Sequence, residues 1–229
     1  MKKLLLATLV FSALPLVADV FDTLCPRPKF LTRGTEAAPA VPEPQRDAAY
    51  RLTVRGGAPT ITAGREGRRY AQTTFDVLQE AAGGEPVPGV TIVDWPTHKH
   101  RGLALDCTAT NRTPQELRAL IDEMALVKLN ALRLRWPSAT NENARATSLR
   151  FLHAIVHHAY RRGIRVTADS ELTVRPGEFK VPPHAKFVLR AQTDAAMAAA
   201  EGTEAEAAVW TKEAIRARAE AMWNGREGR

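Results

Sequence analysis

A chain of 229 residues, 45% hydrophobic and 25% charged, is ordinary for a folded protein of one large domain or two small ones. Its formal net charge of +7 comes from basic residues dispersed among acids; even the densest group, Arg65, Arg68 and Arg69, encloses Glu66 and lacks an aromatic ladder. That pattern argues against a nucleic-acid surface, and after the first eighteen residues no stretch is apolar for long enough to cross a bilayer.

Residues 1–18 have the pattern of a secretory signal: Lys2 and Lys3, an apolar run from Leu4 to Leu14, and a cleavage point at Ala18, with Leu16 bulkier than that position prefers. The expectation is an exported protein, secreted or periplasmic, with a charge of +5 and no membrane contact after cleavage. Residues 19–47 contain Pro26, Pro28, Pro39, Pro42 and Pro44 and read as a Pro-rich linker. Order is expected from Tyr50. Leu52 and Val54 alternate with polar residues, Gly56-Gly57 punctuates, and Thr60-Ile61-Thr62 resumes a β-like run, which predicts a hairpin. Tyr70, Thr74, Val77, Leu78 and Ala81 recur at helical spacing before Gly83-Gly84, and Val90 to Val93 form a further strand. Residues 48–96 are thus an α+β unit.

A different rhythm begins near residue 97. Leu103-Ala104-Leu105 is a short strand. Thr113-Pro114-Gln115-Glu116 is a capping box with proline at the first helical position, opening a helix with Leu117, Leu120, Ile121, Met124 and Lys128 on one face. Ala131 to Trp136 form a second strand. A helix with Leu152, Ile155, Val156 and Ala159 inward ends at Gly163, and Ile164 to Ala168 form a third strand. This alternation predicts parallel βαβ units. Phe187-Val188-Leu189 could be a fourth strand, and residues 203–223 read as a helical stretch rich in Ala and Glu. A closed eight-unit barrel takes about 250 residues and at least about 200, more than the segment from residue 97 supplies.

The ordered motifs resemble glycoside hydrolase family 20, the β-N-acetylhexosaminidases. Tyr70-Ala71-Gln72-Thr73-Thr74-Phe75 is similar to the family's Tyr-Gly-x-Gln-Thr-Leu helix motif. Asp94-x-Pro96 with Arg101-Gly102-x-x-Leu105-Asp106 is similar to its entry into the first barrel strand. Ile121-Asp122-x-Met124-Ala125-x-x-Lys128-x-Asn130-x-Leu132, Arg162-Gly163-Ile164-x-Val166, Gly202-x-x-Ala205 with Trp210-Thr211, and Ala217-x-Ala219-Glu220-x-x-Trp223 extend the likeness. The resemblance implies an α/β fold class: a small α+β zincin-like domain over residues 48–96, then a partial, shortened (β/α) barrel over 97–229.

Family 20 catalysis is substrate-assisted: the sugar's acetamido group attacks the anomeric carbon, an Asp orients it, and a neighbouring Glu protonates the leaving oxygen. Here no Asp-Glu pair follows a glycine pair; Asp122-Glu123 lies on a helix. The family's second-strand His-x-His becomes Arg133-x-Arg135, and its third-strand motif shrinks to Ala168-Asp169-Ser170-Glu171. No catalytic residue is therefore assigned. The resemblance offers Arg101 as a holder of sugar hydroxyls, against a structural arginine pairing with Asp106 or another acid at the strand end, and Trp210 as a pocket wall, against an ordinary core or helix-packing tryptophan. Glu213 is one place displaced from the family acid. Asp169 and Glu171 read as solvated loop acids, and His153 with His157 as helix-face residues lacking a third metal ligand. No metal or other cofactor is expected. The expected function is an exported, non-hydrolytic relative in carbohydrate chemistry, a pseudoenzyme with at most weak contact to an N-acetylhexosamine-containing glycan. The alternatives are an active glycosidase with a rearranged site and an interaction module that oligomerises through open barrel edges. Cys25 and Cys107 could be bridged or free.

Overall fold

The computed structural model describes residues 19–33, 39–41, 46–108, 112–170, 172, 179–180, 187–190, 204–207 and 211–225, with backbone alone for 187–190 and 204–207. The described strands form two sheets. The first is four-stranded and antiparallel, in the order β1 (Phe30–Thr32), β4 (Val90–Asp94), β2 (Tyr50–Arg55), β3 (Ala58–Ala63). The hairpin forms as its alternation predicts, with Arg55 opposite Ala58 across Gly56 and Gly57. Both glycines have positive φ, 55° and 78°, as a two-residue turn between twisted strands requires. Helix α1 (Arg65–Ala81) covers this sheet with Tyr70, Ala71, Thr74, Phe75 and Leu78, a stripe at helical spacing.

Residues 19–33 depart from the linker expectation. Asp19 caps a single 3-10 turn over Val20–Thr23, Phe21 and Leu24 enter the core of the first unit, and β1 pairs antiparallel with β4. The apolar residues Phe21 and Leu24 before the first proline, and Leu31 after Pro28, supply the burial that a spacer would lack.

The second sheet is five-stranded and parallel. Its order is β8 (Phe187–Arg190), β7 (Arg165–Asp169), β6 (Ala131–Arg135), β5 (Gly102–Asp106), β9 (Glu204–Ala207). Helices α2 (Pro114–Leu126), α3 (Glu142–Arg162) and α4 (Lys212–Asn224) contribute to its core. The Thr113–Glu116 capping box forms in both directions, and Gly163 ends α3 at φ 71°. Successive strand residues alternate between faces. Leu103, Leu105, Leu132, Leu134, Val166 and Ala168 pack with Leu117, Ile121, Leu152, Ile155 and Ile215 in one core. The opposite face therefore carries Ala104, Asp106, Arg133, Arg135, Thr167 and Asp169, aligned in register.

Two boundaries differ from expectation. Residues 204–207 are a strand rather than helix: the Glu-Ala-Glu-Ala run has period two and pairs parallel with Gly102–Leu105, and α4 starts only after the Thr211 cap. Lys128 is not on α2. The helix closes at Leu126, and Lys128 takes φ 63° while the Leu129 amide donates to the Met124 carbonyl at 2.9 Å. That left-handed residue turns Lys128 away from the helix and into the boundary between the two sheets.

Candidate functional site

Two groups of polar side chains lie at opposite ends of the parallel sheet. The first is buried where the two units meet. Asp94, at the end of β4 and fully buried, accepts through Oδ1 from Trp223 Nε1 at 2.8 Å, the Trp95 amide at 3.0 Å and the Lys29 amide at 3.2 Å. Its Oδ2 accepts from the Tyr50 hydroxyl at 3.0 Å and from Lys128 Nζ at 3.3 Å, and Lys128 Nζ also donates to Tyr50 at 2.9 Å. The Lys128 ammonium lies 4.7 Å from the centroid of a Trp223 ring. Burial pulls the Lys128 pKa down although Asp94 works against it, and burial followed by Asp94 pushes the Tyr50 hydroxyl well up. Trp223 comes from α4 but packs in the core of the antiparallel unit, so it ties the two units together.

Arg101 belongs to this group. It is 1% exposed and sits before β5, at the N-terminal edge of the parallel sheet. Its Nε donates to the Lys128 carbonyl at 3.1 Å, Nη1 to the His98 and Lys99 carbonyls at 2.7 and 3.3 Å, and Nη2 to the Tyr70 hydroxyl at 2.5 Å. Tyr70 in turn donates to Glu66 Oε1 at 2.5 Å. Neither sequence reading of Arg101 describes this arrangement. The guanidinium is enclosed by backbone carbonyls and the Tyr70 and Trp223 rings, and the partner of Asp106 is a different arginine.

The second group lies at the C-terminal strand ends, where barrel enzymes place their chemistry. Asp106 accepts from Arg135 Nη1 at 3.2 Å and from the Thr108 amide and hydroxyl at 2.8 and 2.6 Å. The Thr108 hydroxyl leads the causes that hold its carboxyl below the usual range, with the Arg135 guanidinium adding to them. Arg133 Nε donates to Asp169 Oδ2 at 2.5 Å, with side chains only 10% and 4% exposed. Asp169 is thus buried in an ion pair rather than solvated, because Arg133 stands one strand away on the same face. These carboxylates accept hydrogen bonds from cations; the geometry gives neither of them the role of proton donor to a leaving oxygen.

The remaining predicted residues are dispersed. Trp210 and Glu171 lie outside the described residues, as do residues 1–18. Glu213 is exposed in the first turn of α4, where the helix start and Thr211 hold its carboxyl low. The His153 and His157 rings are 4.3 Å apart, and among the described residues no group of three potential metal ligands converges. Cys25 and Cys107 are both free thiols, which closes the question of a bridge.

Sequence reasoning quoted Tyr70, Asp94, Lys128 and Trp223 as motif residues without seeing that they meet. The available signal was chemical: a strand-end aspartate, a lysine before a strand and a tryptophan near a helix end have no reason to be buried except with one another. It also missed Asp106–Arg135 and Arg133–Asp169, which follow from period-two alternation on adjacent parallel strands.

No protein-family description matches the chain. A curated relative, a β-hexosaminidase of Akkermansia muciniphila, is 38% identical over 97 residues, covering 41% of this chain and 20% of the relative. A solved β-N-acetylhexosaminidase superposes with a TM-score of 0.53 at 23% identity, covering 75% of this chain and 46% of its own. A glycoside hydrolase family 20 β-N-acetylglucosaminidase gives 0.52 at 21% identity, covering 64% and 40%. The chain spans a fifth of the curated relative and less than half of either structure. In sequence and in fold it is similar to part of the family 20 β-N-acetylhexosaminidases. No helix among the described residues is long and apolar enough to cross a membrane.

Proposed function

We propose that this chain is a non-hydrolytic protein built on part of the β-N-acetylhexosaminidase frame. Residues 48–96 then correspond to the zincin-like α+β domain and residues 97–229 to a partial (β/α) barrel. The order β8-β7-β6-β5-β9 is what a ring of parallel strands gives when a run of its members is missing. Export rests on Lys2, Lys3 and the apolar run that follows.

The observation that carries the reading is the pairing of Asp106 and Asp169, the described carboxylates at the C-terminal ends of the parallel strands, with arginines. A substrate-assisted mechanism needs one carboxylate to orient the acetamido group and a second, protonated one beside it. Each of the two carboxylates instead accepts a hydrogen bond from an arginine, a geometry that places neither as a proton donor. Any contact with an N-acetylhexosamine-containing glycan is then weak and stoichiometric.

Incubation with a chromogenic N-acetylglucosaminide tests this: product release is expected to equal that of a protein-free blank. Turnover that disappears in Asp169→Asn or Glu171→Gln would overturn it in favour of a rearranged glycosidase.

A further inference from the structure

The densest basic group of the sequence is used neither by the buried interface nor by the strand ends. The fold brings two of its members, Arg65 and Arg69 of α1, together with Arg165 at the start of β7 around a cleft of about 620 Å³. Arg161, in the last turn of α3, lines an adjoining depression that shares Arg69 and Gly163 with the cleft. Two separated segments, α1 and the turn from α3 into β7, therefore place four guanidinium groups in one region, and among the described residues none of the four has a carboxylate within ion-pair distance.

Arg69 is seated rather than free to wander. A Cβ on Gly163 would fall 0.9 Å from its Nη1, so the guanidinium lies directly on the glycine that ends α3. Its Nε is shielded from water and donates to no group. Arg65, Arg161 and Arg165 are exposed around it. Two acids, Asp47 and Glu66, also line the cleft, and Glu66 Oε1 already accepts the Tyr70 hydroxyl at 2.5 Å. At the start of α1 the Gly67 amide donates to the Asp47 carbonyl at 3.0 Å, so the positive charge of the cleft comes from its guanidinium groups.

We propose that this cleft binds a tetrahedral oxyanion presented by a small molecule, a sulfate or phosphate ester of sugar size. Guanidinium forks match tetrahedral oxyanions in pairs of hydrogen bonds, and an anion among four like charges relieves their repulsion. The volume lies within the range of about 300–1,000 Å³ typical of small-molecule sites. A long polyanion would need a continuous basic stripe, and the basic residues elsewhere on the chain are interspersed with acids.

The test is calorimetric or NMR titration of the full chain with N-acetylglucosamine 6-sulfate, N-acetylglucosamine 6-phosphate, inorganic sulfate and inorganic phosphate, with neutral N-acetylglucosamine as control. The esters are expected to bind at this cleft and the neutral sugar not to. Affinity falls as salt rises, because exposed charges are screened. The double variant Arg65→Glu/Arg165→Glu weakens binding by roughly tenfold or more per guanidinium, and Arg65→Gln/Arg165→Gln by less. Both positions are exposed, so an unchanged circular-dichroism melt certifies the fold of each variant. The stronger of the two ester arms identifies sulfate or phosphate as the source. Absence of ester binding at millimolar concentration, binding undiminished in the double variant, or binding of heparin chains alone would each overturn the proposal. These readouts are independent of glycosidase turnover, so this cleft and the non-hydrolytic reading stand or fall separately.

Discussion

At the boundary between the two sheets, one carboxylate, Asp94, gathers two backbone amides, an indole, a phenol and an ammonium in a fully buried setting. At the C-terminal edge of the parallel sheet, Asp106 and Arg135 pair with side chains 21% and 32% exposed. The first region brings together five residues drawn from separate family-like motifs: Tyr70, Asp94, Arg101, Lys128 and Trp223. The second is where a barrel enzyme would hold its acids, and there the described carboxylates Asp106 and Asp169 pair with Arg135 and Arg133. The contrast teaches that motif residues far apart in the chain can be held together by the joint between the two units. Motif similarity here reports architecture.

The sharpest way to break that comparison is to remove Asp94. Asp94→Ala leaves the Lys128 ammonium buried without its counter-charge and strips Trp223 Nε1 of its acceptor. Breaking such a buried pair costs about 3–5 kcal/mol. Lys128→Met is expected to cost roughly half as much, because Asp94 keeps its amide, indole and phenol donors. Urea unfolding followed by tryptophan fluorescence reads both. A loss below about 1 kcal/mol for Asp94→Ala would equate the pair with a surface one and erase the contrast.

At the other end the expected effect is smaller. Asp106→Ala removes a partly exposed ion pair and the Thr108 turn contacts, together about 1 kcal/mol or less. The sign with pH is fixed by the direction of the shift. The folded-state pKa of Asp106 lies below its ordinary value, so its stabilisation is complete above about pH 4 and is lost as pH falls through the folded pKa. Wild-type and Asp106→Ala unfolding curves should therefore differ at neutral pH and converge in acid. A gap that persists at low pH would assign the effect to packing rather than charge.

The hairpin, the capping box, the helix end at Gly163 and the three central parallel strands were legible because each has a local cause: alternation, a side-chain cap, a glycine in left-handed conformation. What escaped had non-local causes. The strand at Glu204–Ala207 is fixed by pairing with β5, about a hundred residues earlier, and its own alanines favour helix. The β1 strand exists because Phe30–Thr32 find β4 in register. Arg101 could not be placed by motif alone, since its environment depends on where α1, the Lys128 turn and the end of α4 come together. The ion pairs of Arg133 and Arg135 are likewise invisible in the motif and follow only from strand register.

Each end of the molecule also carries its own thiol, which allows the two to be compared without a substitution. Cys25 lies near the unit boundary, with Sγ 3.7 Å from the Arg216 carbonyl of α4, and is half-buried. Cys107 follows β5 at the C-terminal edge, where its amide donates to the Arg135 carbonyl at 2.9 Å. Burial raises both thiols, that of Cys107 to about 11. At pH 8 about one part in a thousand of Cys107 is then thiolate, the form that reacts. Native alkylation should modify Cys25 first, and Cys107 should react only as the chain unfolds. Peptide mapping after timed exposure to iodoacetamide measures this directly. If Cys107 reacts early, at denaturant concentrations that leave Cys25 protected, the C-terminal edge opens by itself while the Asp94 cluster stays closed. That result would turn a difference in wiring between the two ends into a difference in local stability.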